Sequence, residues 1–217
     1  MSQETDQYWA FISYSHHDKR VARWLKGALA KERIPKPFRG RTKGKKSRLE
    51  DLFLDEGSAA ASHSLNEELQ DALKTSRYLI VICSPFSVNS SHVNEEIAFF
   101  KAQGGEKRIL CLIASGVPNA TDSGNPQLEC FPSALRFEVR PDGEITDIPK
   151  SIADRPLGAD LGHESIAERT QAVRQLKAGI LDISGDELAS FGRRRFYRNA
   201  AAELGLAACV AGFSAGV

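Results

Sequence analysis

The 217-residue sequence is short of the features that announce a specialised chemistry. Its four cysteines, Cys83, Cys111, Cys130 and Cys209, include no CxxC pair, so neither a zinc ribbon nor a dithiol redox centre is expected. A chain of this length builds a core without disulfide staples, and a reducing, cytosolic compartment is the expectation. A Gly-x-Gly-x-x-Gly turn and a P-loop are both missing, which disfavours ordinary Rossmann and NTPase chemistry. The formal net charge is only +1, which gives no global attraction to nucleic acid or to an acidic membrane. The basic stretch from Lys36 to Arg48 has Phe38 as its single aromatic and reads as a solvated loop. His16-His17 has no cysteine or carboxylate at ligand spacing, so no metal is expected. The first residues are polar and acidic, unlike a secretory or transit peptide. No internal repeat is visible.

What is present is a regular alternation. Tyr8 to Tyr14 is aromatic and β-branched, a buried first strand. A helix from about 19 to 32 follows, with Val21, Trp24, Leu25, Ala28 and Leu29 at core spacing. A short strand, Leu52-Phe-Leu54, ends at Asp55. A small, polar loop over 56–63 leads to a helix over about 65–74. Then come a strand over 78–83, a helix near 92–102 and a strand over 108–113. Strands and helices at this spacing predict a parallel sheet with helices on both faces. Residues 114–150 read as long loops with a short strand within 134–139. A last helix spans about 164–181, with Ile166, Val173, Leu176 and Ile180 facing inward.

Residues 84–100 are the most informative. They follow a strand and place Glu95 and Glu96 in the first turn of a helix, where the helix field keeps a carboxylate ionised. In an open α/β sheet, chemistry gathers at such strand ends. Acids at helix starts are also a routine preference, so the pair alone does not define a site.

Several segments, in this order, resemble the TIR (Toll/interleukin-1 receptor) domain as it occurs in bacteria. They are Phe11-Ile-Ser-Tyr-Ser15, Phe53-Leu-Asp55, Ser76-Arg-Tyr-Leu-Ile-Val-Ile-Cys-Ser-Pro85 and Ser90-Ser-His-Val-Asn-Glu-Glu-Ile97. Arg108 to Pro118, Glu129-Cys-Phe-Pro132 and Pro156-Leu-Gly-Ala-Asp160 extend the likeness. The resemblance implies an α/β, flavodoxin-like three-layer sandwich with a five-stranded parallel sheet over residues 1–185. It also implies either cleavage of NAD+ at the nicotinamide–ribose bond, with NAD+ as substrate and no cofactor, or a non-catalytic module that signals by homotypic contacts.

In the enzymes of that family a Trp-x-x-x-Glu pattern carries the essential glutamate. Mapped here the glutamate is Glu96, and His92 stands at the tryptophan position. Phe11, Ser13, Tyr14, Asp55 and Ser84 are the positions expected to shape the substrate end of the cleft. The loop over 56–63 is expected to mediate self-association. Bacterial immune-type signalling is the implied setting.

The end of the chain differs in character. Residues 186–199 carry Arg193-Arg194-Arg195 and Arg198, and residues 200–217 are almost wholly small or apolar. A spanning helix needs about 20 apolar residues. The run therefore reads as the start of a membrane helix, with the arginines holding the domain on the cytoplasmic face of the inner membrane. An Ala-rich amphipathic helix docked on the domain and a frayed tail are the alternatives.

Overall fold

A computed structural model describes residues 6–39, 46–55, 66–156, 158–161 and 165–183. Its centre is a five-stranded, wholly parallel sheet in the order β2-β1-β3-β4-β7. The strands are β1 (Tyr8–Ser13), β2 (Leu52–Leu54), β3 (Ser76–Cys83), β4 (Ile109–Ile113) and β7 (Gly158–Asp160). β3 is buried along almost its whole length, as a continuous apolar strand covered on both faces must be.

One face of the sheet carries α1 (Lys19–Ala30) and α6 (Ile166–Leu181). There Ala10, Ile12, Ile80, Ile82 and Leu112 meet Leu25, Leu29, Val173, Leu176 and Ile180. The other face carries α2 (Glu67–Lys74) and α4 (Ser91–Ala102). There Phe11, Leu79, Val81, Cys83 and Cys111 meet Leu69, Leu73, Val93, Ile97 and Phe100. Cys83, Cys111 and Cys130 are free and buried. The flavodoxin-like sandwich expected from the sequence is therefore the fold.

The two-residue period of the strands assigns these faces. Because α1 follows β1 on one face and α4 follows β3 on the other, the chain changes face between β1 and β3. That is the topological switch point, where open α/β sheets leave a crevice beyond the carboxyl ends of the strands.

Two expectations are corrected, and the short strand within 134–139 is found and refined. The fifth strand of the sheet is Gly158–Asp160, whose three residues carry no β-branched signal; it pairs with β4 through Cys111–Gly158, Leu112–Ala159 and Ile113–Asp160. The segment over 134–139 instead begins as a helical turn, α5 (Ser133–Arg136), and continues as β5 (Phe137–Val139). β5 pairs antiparallel with β6 (Ile145–Pro149), a hairpin outside the main sheet. Ile166 does not face inward: it opens α6 and is 86% exposed. The reason is local, since Ser165 and Glu168 form a capping box that fixes the helix start one turn before the buried stripe begins.

Gly116 lies just after β4 with φ of +86°, and a Cβ there would come 2.8 Å from the Leu128 carbonyl oxygen and 2.9 Å from Cys130 Cβ. Gly116→Ala should cost about 1–3 kcal/mol in urea unfolding, because both the backbone angle and the space resist a side chain. A variant as stable as the parent would contradict that close approach.

Candidate active site at the carboxyl edge of the sheet

The site is built upward from a pair of rings. Phe11 and Phe53 are register partners on β1 and β2 and stack at 5.1 Å with planes 19° apart. Phe11 is completely buried, so it serves as a floor beneath the strand ends. The next residues pointing to the same face are Ser13 and Asp55, one level above the rings. Tyr14 turns to the opposite face, where it packs on the core, and its hydroxyl donates to the Asp55 carbonyl at 2.5 Å. Tyr14 therefore pins the end of β2. Asp55 is the last described residue before the loop at 56–63, which lies outside the described residues.

α4 closes the site from above that face. Ser90 caps it by accepting from the Val93 N–H, so the helix begins at Ser91. Glu95 and Glu96 then fall in the second turn, and no acid lies in the first. This corrects the expectation of carboxylates kept ionised at a helix start. Val93, Ile97 and Phe100 form the core face as the spacing predicts, and Glu96 is buried beside them, 7% exposed.

Burial pushes the Glu96 carboxyl up to about 8, and the negative charges of Asp55 and Glu95 push the same way, while the Ser13 hydroxyl favours the ionised form. Among the described residues no well-formed hydrogen bond reaches Ser13 Oγ, although the atom is fully buried. Burial therefore prevails and favours the protonated form of Glu96. Ser13, Asp55 and Glu96 are the residues the fold gathers into one place.

The other expected site residues stand elsewhere. Ser84 is wholly buried. It donates to Asp18 Oδ2 at 2.6 Å and accepts from the Ser87 N–H, capping the short α3 (Pro85–Val88). Both capacities of its hydroxyl are used in joining the β1 and β3 loops. His92 sits one turn before Glu96 and is exposed. Among the described residues no group of three or more His, Cys, Asp and Glu is arranged to hold a metal ion.

Two supporting residues carry little signal in the sequence. Asp18 is buried on the mouth of the crevice through its bond to Ser84. Asn94 donates to the carbonyls of Val88 and Ser90 and accepts from the Ala134 N–H, so it locks α4 against α3 and α5. A polar residue between two apolar ones at 93 and 97 could have hinted at Asn94; nothing pairs residues 18 and 84 in sequence.

A parallel sheet of this order, with an acid from the third connection lowered onto the ends of the first two strands, defines a flavodoxin-like α/β fold with buried polar groups at its switch point. The TIR domain family model matches residues 10–130, and the chain belongs to the TIR domain family. It is 30% identical over 188 residues to the NAD(+) hydrolase ApTIR of Actinoplanes sp. (strain ATCC 31044 / CBS 674.73 / SE50/110). That alignment covers 84% of this chain and 24% of the relative, so the chain spans about a quarter of that protein's length. No helix among the described residues is long and apolar enough to cross a membrane; the basic stretch at 186–199 and the apolar run at 200–217 lie outside them.

Proposed function

We propose that the chain is an NAD+ glycohydrolase or cyclase that breaks the nicotinamide–ribose bond, with Glu96 as the catalytic residue. The observation that carries this reading is the buried Glu96 carboxyl at the carboxyl edge of the sheet, beside Ser13 and Asp55. Its likeness to a protein named NAD(+) hydrolase supports the same substrate.

The chemistry asks little of the protein. When the C1′–N1 bond breaks, its electron pair goes to the pyridinium nitrogen, so nicotinamide departs neutral and needs no general acid. The ribose is left as an oxocarbenium cation. Water adds to C1′ and gives up its proton, yielding ADP-ribose; capture by a nitrogen of the adenine gives a cyclic product instead. What the site must supply is negative charge under C1′ and acceptors for the ribose hydroxyls. Glu96 supplies both once ionised. Asp55 and Glu95 add to a field that favours a cation, and the cationic nicotinamide ring itself drives the Glu96 proton off as it arrives.

In this reading the loop at 56–63 joins copies of the domain and couples turnover to assembly, in a bacterial immune-type response. The second reading, a non-catalytic module that works by homotypic contact, is favoured by one observation: exposed His92 offers less stacking area than an indole would. Nicotinamide release from NAD+, measured at high protein concentration for the parent and Glu96→Ala, separates them. The expected result is turnover by the parent and background by the variant. No turnover by the parent under assembling conditions removes the enzyme reading, and equal turnover removes Glu96 from its role.

A further inference from the structure

Phe86 is the one aromatic among the exposed large apolar side chains of the described residues, at 52% exposure. A single exposed phenyl needs no function. This one differs in how it is held. Its ring stacks on His17 at 4.5 Å with planes 12° apart, and His16 stands edge-on to His17 at 5.7 Å. One face of Phe86 is thus occupied and the other is left to solvent.

The base under the rings is rigid. Phe86 follows Pro85 at the start of α3, whose capping box is buried, and the buried Ser84–Asp18 bond ties that turn to the loop bearing His16 and His17. Gly116 passes so close that a Cβ on it would lie 3.3 Å from Pro85 Cδ. This brings the exposed Val117 and the adjoining Leu128 carbonyl alongside, where the Val117 N–H donates to Leu128. The rings rise from the loops after β1 and β3, at the switch point. Only four positions separate His17 from Ser13, the residue facing Glu96.

Resting on the NAD+ reading, we infer that the stacked His17–Phe86 pair is the seat of the adenine ring, a purine platform at the mouth of the crevice whose floor holds Glu96. A dinucleotide with one end at Glu96 must put its flat, apolar, hydrogen-bonding base somewhere along the same edge. A preorganised aromatic face with an open side is what such a base stacks on. The platform accepts any purine by stacking, and imidazole nitrogens of His16 and His17 stand at its rim for polar contacts.

The test compares NAD+ with nicotinamide mononucleotide, which has the same scissile bond and no adenine. In Phe86→Ala the ratio of kcat/KM for NAD+ to that for the mononucleotide should fall about 5- to 50-fold, through KM for NAD+. Phe86→Trp should restore it. AMP titrated against the His16 and His17 ring protons by NMR gives a readout that needs no turnover: shifts in the parent, and at least fivefold weaker binding in Phe86→Ala. If the parent releases no nicotinamide, the enzyme reading fails alone and the AMP titration still decides the platform. An unchanged ratio, or equal AMP binding by parent and variant, overturns the inference. So does a variant that alters only the sedimentation profile, which would make this face a contact between copies of the chain.

Discussion

Glu96→Gln should be more stable than the parent at pH 8 while losing turnover about a thousandfold or more. The stability follows from the sign of the shift. The folded carboxyl titrates at about 8 against an ordinary 4.5, so between those values the folded chain keeps a proton that the unfolded chain releases. The stability of the parent therefore falls as pH rises through that window, by at most ~1.4 kcal/mol per unit, and levels off above 8. The total is roughly 3–5 kcal/mol, and an uncharged amide of the same shape escapes it. Parent and variant should unfold alike near pH 5 and diverge toward pH 8, reaching about 5–15 °C in Tm. Parallel curves across that range would show that Glu96 is not held neutral.

The same group shapes the rate profile. If the ionised form is the working one, kcat/KM for NAD+ climbs about tenfold per pH unit below 8, because it reports the free enzyme. The limb in kcat lies lower, since the bound cation eases the ionisation. A profile that is flat from pH 6 to 9 would separate the carboxyl from the chemistry.

Glu129→Ala should be the most damaging change outside the site, costing about 3–5 kcal/mol in denaturant unfolding. Glu129 is 2% exposed, and its two oxygens accept from the backbone N–H groups of Asn119, Thr121, Cys130 and Phe131. Arg136 stands 3.6 Å away. One carboxylate thus folds a loop of a dozen residues back on itself, while Arg155 bonds Asn119 and Asp122 from the outside. Truncation leaves four amides without their acceptor and takes from Arg136 one of its two carboxylate partners, the other being Asp122 at 3.7 Å. Burial alone would raise this carboxyl, but the amides of Phe131 and Thr121 and the Arg136 charge hold it below its usual range. Its stabilisation is therefore complete above the ordinary carboxylate value and is lost as pH falls through the folded one. The parent should show an acid-induced loss of stability that Glu129→Ala lacks.

Much of this was legible before any coordinates. The strands at 8–14, 52–54, 78–83 and 108–113 announce themselves because a parallel sheet buried on both faces needs unbroken apolar runs. Val93, Ile97 and Phe100 follow from helical spacing, and the fold from the order of the motifs. The rest depended on distance in space. Gly158–Asp160 becomes a strand only because the β4 edge is waiting for it. Glu96 looked like a charge at a helix start; its burial is set by where α4 lies on β1, which no local pattern encodes. Ser84 looked free to bind a ligand until Asp18, 66 positions earlier, occupied it. Of the β5–β6 hairpin only β5 was legible; β6 was missed because it is largely exposed and carries little apolar signal.

The strand order also sets a timetable. β1 lies inside the sheet, yet it is made before every other strand of that sheet, and its partner β3 begins roughly 70 residues later, where Tyr8 meets Ser76. At about 5–20 residues per second, a ribosome takes roughly 3–14 s to deliver that partner. β2 can cover one edge of Trp-Ala-Phe-Ile sooner, since Ala10 meets Leu52, but the edge that β3 takes stays open through that interval, an edge that any other open strand can join. The nascent domain is at its stickiest before the sheet exists, and yields in a cell should depend on whatever shields residues 8–13.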